Sequence, residues 1–159
     1  MSGRSRGELL DELIGEVRRG QVATDMVDQA AADLMGVNRT DARCLDVLDQ
    51  RGKLTAGQLA EASGLTTGAV TAMLDRLERA GFLRRLRDKE DRRRVLVEIT
   101  PQARRKGHEL YSPHAEKWPA IADGYSDEEI ALLLEFTRIG REMNEELAAE
   151  LQAKLASKR

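Results

Sequence analysis

The chain has 159 residues, 34% of them charged and 3% aromatic, with a net charge of −2. That length suits one domain-sized unit, and the composition suits a mainly helical protein with a core of Leu, Val, Ile and Ala. One cysteine excludes an intrachain disulfide, and there is neither an apolar run near the roughly 18 residues of a membrane span nor a signal-peptide core, so a reducing cytoplasm is the expected setting.

Met1–Gly7 is small and basic and is expected to be disordered. Leu9, Leu10, Leu13, Ile14 and Val17 then recur at helical spacing. After Gly20 the pattern resumes in a shifted phase through Val22, Met26, Val27, Ala30, Ala31 and Leu34. This predicts one bent helix or two consecutive ones, ending near Gly36. Asn38 and Thr40 are candidate caps for a helix over Asp41–Arg51, with Cys44, Leu45 and Leu48 on its buried face. Gly52 ends it, and Gly52–Leu54 is a candidate short strand.

Thr55 and Gln58 have the spacing of a capping box, opening a helix that runs to about Ala62. Ser63-Gly64-Leu65 forms the turn, where Gly64 is free to take positive φ. Thr66 caps the next helix, and Leu65 and Val70 are placed as a hydrophobic staple. Val70, Met73, Leu74 and Leu77 share one face of it. Gly68, Thr71, Ala72, Asp75, Arg76 and Arg79 lie opposite, and Gly81 is the stop. Phe82–Arg87 and Arg94–Ile99 read as two strands around a wholly charged loop, Asp88–Arg93. Helix, tight turn, helix and hairpin in this order make a winged helix-turn-helix.

Thr100 caps a further helix with Pro101 at its first position. From there to Asp123 the pattern weakens, and Pro113 and Pro119 are expected to kink or divide any helix. Ser126 opens the last helix, with Glu129 completing a capping box and Tyr125 and Ile130 a staple. Leu132, Phe136, Ile139, Met143, Leu147, Leu151 and Leu155 form a stripe along about 28 residues, some 42 Å at 1.5 Å per residue. A small domain cannot cover so long a stripe by itself, so it calls for a second copy of the chain. Three segments are expected: dimerisation helices over 1–36, a winged helix over 37–100, and further dimerisation helices over 101–159.

The charge pattern points to nucleic acid. Leu83–Arg94 carries seven basic and three acidic residues, net +4, whereas Ile121–Arg159 is net −4. A helix entering the major groove needs a face free of bulk near its N-terminus. Thr66, Thr67, Gly68 and Thr71 meet that need, and Arg76 could reach a guanine edge or a phosphate. The hairpin's cations would add phosphate contacts and counterion release, and its Arg side chains suit the negative potential of the minor groove. The plainer alternatives are a surface helix over an ordinary core and a solvated charged hairpin. Their adjacency favours DNA.

Residues 54–100 resemble the winged helix of the MarR family of bacterial transcription regulators. The likeness is carried by LTAGQLAEASGLTTGAVTAMLDRLERAGFLRR followed by RDKEDRRRVLVEIT, including the wing motif Asp88-Lys89-Glu90-Asp91-Arg92-Arg93. The resemblance implies an obligate homodimer with interleaved terminal helices, bound to a palindromic site. It also implies regulation that is mostly repression, commonly relieved by a small molecule or by oxidation. By position, Thr67, Gly68, Thr71 and Arg76 match the family's major-groove residues, and Arg92 or Arg93 its minor-groove arginine. Asp91 would position those arginines. Two departures stand out: Glu90 where many members have Arg, and Ala72 where many have a larger polar or basic reader. Glu90 weakens the wing tip, and fewer base contacts shift weight toward DNA shape.

Tyr111, Trp118 and Tyr125 fall where the resemblance puts an effector pocket. Sealing a core or dimer interface is their plainer role. Cys44 sits on an apolar face with no basic run beside it, which favours a structural thiol over a peroxide sensor. His108 and His114, six apart across a proline, make a poor metal pair, and no metal or cofactor is expected. No phosphate loop, nucleophile elbow or zinc-protease motif supports an enzyme. The expected function is a homodimeric DNA-binding regulator, a repressor released from a palindromic operator by an effector. The alternatives are a winged-helix protein-interaction module and a redox- or metal-responsive regulator.

Overall fold

Ser5 accepts a hydrogen bond from the backbone of Glu8, whose carboxylate accepts from the Ser5 N–H, and this capping box opens α1, Arg6–Met35. The computed structural model describes residues 3–157. Met1 and Ser2, in the segment expected to be disordered, lie outside the described residues. From Arg6 onward that expectation is corrected, because the box starts the helix before the first apolar residue. Of the two forms expected for this region, the single helix is found, and Gly20 lies within it. Glycine costs about 1 kcal/mol in a helix interior, a small charge against the other 29 residues of this helix.

α2, Arg39–Arg51, is capped by Asn38, whose side chain accepts from Asp41 N at 2.8 Å; Thr40 lies inside the helix. β1 is Leu54–Thr55 and pairs antiparallel with the later strand β3, so the short strand falls two residues beyond the predicted start. Gly52 precedes it with φ 76 and ψ −141, a conformation that breaks away from helix before the ladder begins. The Thr55–Gln58 capping box is present and starts α3, Ala56–Ser63. Gly64 takes the left-handed conformation, φ 67 and ψ 25, which makes the tight turn. α4, Thr67–Arg79, follows from Thr66.

β2, Leu83–Arg87, and β3, Val95–Ile99, form the wing, with β3 central in the order β1-β3-β2. The strands are one residue shorter than predicted at Phe82 and at Arg94. The Phe82 N–H closes α4 on the Leu77 carbonyl at 2.9 Å, and the Arg94 N–H closes the wing turn on the Asp91 carbonyl at 2.9 Å. Neither donor is left for the ladder. α5, Pro101–Ala115, is capped by Thr100, whose hydroxyl also donates to the Gly81 carbonyl at 2.7 Å. Pro113 is absorbed in the last turn of α5, and Pro119 stands at the start of α6, Trp118–Ala122. α7, Asp127–Ala156, begins with the predicted Ser126–Glu129 box.

Two compact units divide the chain within α5, Met1–His108 and Glu109–Arg159. The first has a conventional core in which Cys44, Leu45, Leu48, Leu59, Val70, Met73, Leu74, Leu77, Phe82, Leu83, Val97 and Ile99 are buried together. Each fully buried leucine here contributes roughly 1.5–3 kcal/mol. In the second unit, by contrast, no described residue is buried. None of the described helices is long and apolar enough to cross a membrane.

Candidate nucleic-acid interface

The apolar spacing predicted for α4 is what sets its outer face. Val70, Met73, Leu74 and Leu77 are buried, which turns Thr67, Gly68, Thr71 and Ala72 to solvent. Thr66 serves as the cap, its hydroxyl accepting from Ala69 N at 3.3 Å. The first two turns therefore present a surface with little bulk, as a groove-entering helix requires.

Arg76 sits differently from expectation. Its Nε and Nη2 donate to the two carboxylate oxygens of Asp41 at 3.1 and 2.7 Å, which turns the guanidinium onto α2. Hydrogen bonding to Asp41, then its charge, holds the Arg76 guanidinium above its ordinary pKa. The Asp41 side chain is only 4% exposed against 47% for Arg76. This is a fork-to-fork pair that fixes α4 on α2. Arg43 on the same turn of α2 donates to the Ser63 carbonyl at the end of α3, so α2 holds both helices of the turn motif. Sequence reasoning missed these ties. A signal existed in Asp41, which shares the helical spacing of Cys44, Leu45 and Leu48: a carboxylate in an apolar stripe needs a partner. Arg76→Met, which strands that buried carboxylate, is expected to cost more stability than Asp41→Leu, which leaves the guanidinium free to turn outward. Parallel urea melts check this, and equal losses would mean that Asp41 is solvated without Arg76.

The wing's seven cations divide into two groups. Near its base, Arg84 pairs with Glu98, and Arg85 bridges Asp75 and Glu78 of α4, which straps the wing to α4. Burial pushes the Glu98 carboxyl up, but Arg84 and Lys53 together outweigh it and hold it below its ordinary value. Arg94 stands 3.8 Å from Asp88. Among the described residues Arg87, Lys89, Arg92 and Arg93 form no ion pair, and all four are exposed. Among the described residues, no acid of the tip forms an ion pair with these four. Asp91 accepts from Arg93 N at 2.9 Å, and Asp88 accepts from Glu90 N at 3.0 Å, so both carboxylates shape the turn. Positive charge is thus left free at the end of the hairpin.

Burial pushes the Cys44 thiol above its ordinary pKa, more than Ser63 and Arg43 lower it. Trp118 packs edge-on to His114 with ring centroids 5.9 Å apart. Tyr111, Trp118 and Tyr125 are all exposed in the single chain. Among the described residues no group of three or more His, Cys, Asp or Glu is arranged to hold a metal ion.

Free cations at one edge, beside a helix with open first turns, suit a grooved polyanion; the class is a winged-helix DNA-binding protein. Comparison with known proteins sharpens this. Residues 37–95 match the MarR family. The HTH-type transcriptional regulator YcgE of Bacillus subtilis (strain 168) is 35% identical over 142 residues, covering 89% of this chain and 92% of YcgE. The HTH-type transcriptional repressor YetL of the same organism is 34% identical over 84 residues, covering 53% of this chain and 49% of YetL. Among solved structures, Streptococcus pneumoniae FabT in complex with DNA is similar with a TM-score of 0.64 at 25% identity, covering 87% of this chain and 96% of that one. The chain belongs to the MarR family and is a DNA-binding helix-turn-helix transcription regulator rather than an enzyme.

Proposed function

We propose that the protein is a cytoplasmic homodimeric repressor that binds a palindromic operator and leaves it when a small molecule binds. The observation that carries this reading is the apolar stripe of α7, left open in the single chain: Leu132 is 69% exposed, Met143 64% and Leu155 64%. α1 repeats the pattern with Leu9, Leu10, Leu13, Ile14 and Val17, all exposed. Exposed apolar stripes of this length mark association faces, and two copies related by a twofold axis cover them most simply. Such a dimer carries two reading helices and two wings, and a twofold protein matches a palindromic site.

The sign of regulation rests on the likeness to YetL, which is named a repressor. The effector role rests on the family resemblance, with Tyr111, Trp118 and Tyr125 as the candidate lining. A thiol switch is disfavoured by the burial of Cys44 and the raised pKa that follows, since the thiolate is the reactive form.

Sedimentation of the free chain, with footprinting on the DNA upstream of its own gene, tests the reading. Two protected half-sites about 34–36 Å apart, one helical turn, are expected. A monomer protecting a single half-site would overturn it. A reporter fused to that DNA should rise when the regulator is deleted. An effector should both change Trp118 fluorescence and weaken the footprint.

A further inference from the structure

The polar side chains of α4 are largely engaged inside the protein. The Thr71 hydroxyl donates to the Thr67 carbonyl at 3.0 Å. Asp75 and Glu78 hold Arg85, Arg76 holds Asp41, and Arg79 Nε donates to the Asp75 carbonyl at 3.1 Å. The Thr66 hydroxyl oxygen accepts from Ala69 N in the cap. Among the described residues, Thr67 has the hydroxyl on the first two turns that meets no partner. What the rest of that exposed surface offers is apolar and small: Gly68, Ala69, Ala72 and the methyl of Thr71, whose hydroxyl is back-bonded.

Gly68 adds a second observation. A Cβ placed there meets nothing within 4 Å, and its φ is not positive. Neither packing nor backbone geometry requires glycine at this position. Its effect is to leave the outer surface open to whatever approaches α4.

A bare methyl distinguishes one feature on the floor of the major groove, the C5 methyl of thymine. We infer that α4 selects its site through thymine C5 methyls packed against the Thr71 methyl and Ala72, with Thr67 as its hydroxyl reader and the Arg76 fork withheld from guanine by Asp41. Specificity at these positions then comes from apolar contact, and hydrogen-bonded readout is confined to the first turn.

The test uses a duplex selected from a random-sequence pool by the full chain, with thymidines of each half-site replaced one at a time by deoxyuridine. That change removes the C5 methyl and leaves pairing and the minor groove unaltered. Affinity is expected to fall about fourfold for each methyl that was packed. Thr71→Val, which keeps the methyl, should show the same roughly fourfold preference for the thymidine duplex as the parent protein. Thr71→Ser should lose about fourfold there and lose nothing more on the uridine duplex. Uridine duplexes that all bind as tightly as thymidine ones would overturn the inference. So would a Thr71→Val protein that loses this preference as Thr71→Ser does, since the hydroxyl rather than the methyl would then carry it. Binding of the selected duplex itself is the control, so failure here is distinguishable from failure to bind DNA.

Discussion

Alanine at both Arg92 and Arg93 is expected to weaken binding to the protein's own operator roughly 50-fold at ~0.1 M salt and to flatten the log–log salt slope by about 2. Each phosphate neutralised by a cation contributes about 0.9 to that slope, so two lost contacts remove both a large share of affinity and its salt dependence. The effect is large because neither guanidinium forms an ion pair within the protein among the described residues, so both are available to DNA. Arg84→Ala provides the contrast: its charge is already met by Glu98, and the slope should hardly move. Fluorescence anisotropy of a labelled operator across a salt series measures both quantities. Unchanged affinity and slope in the double variant would remove the wing tip from the interface.

Glutamate at both Leu147 and Leu151 is expected to weaken dimerisation by on the order of a thousandfold or more, leaving monomer or partly unfolded chain. Each buried carboxylate without a partner costs several kcal/mol, and a twofold interface receives every substitution twice. Both leucines are about half exposed in the single chain and lie in the stripe that the proposed dimer covers. Sedimentation equilibrium gives the association constant, and circular dichroism separates monomer from unfolded chain. Leu147→Met with Leu151→Met, which keeps apolar volume, should restore assembly. A doubly charged variant that stays dimeric and binds DNA fully would show that α7 is not the association face.

The winged helix was readable because its signals are local. Capping boxes at Thr55 and Ser126, the glycine at position 64 and the 3-4 spacing of Val70, Met73, Leu74 and Leu77 depend on residues a few places apart. Strand ends shifted by one residue because the competing acceptors, the Leu77 and Asp91 carbonyls, are set by three-dimensional turns. The early start of α1 was legible in Ser5 and Glu8, but a basic, glycine-containing segment outweighed the capping pair. The site was half legible. Exposed threonines follow from helical phase alone. The fate of Arg76 and Arg85 does not, since their partners Asp41 and Asp75 lie 35 and 10 residues away. A cation's sequence position reveals its charge, while its availability to DNA depends on which carboxylates the fold brings beside it.

The burial of Cys44 gives the molecule an internal clock. It is the one thiol in the chain, and it is fully shielded in the winged-helix core with a pKa pushed up by that burial. A thiol reagent can reach it only when α2 and its neighbours open, so the rate of modification in native buffer measures how often that core breathes. Operator DNA that binds only the closed form slows the reaction in proportion to occupancy. The same silence makes any cysteine introduced at the wing a uniquely reactive handle, because the native thiol does not compete for the label.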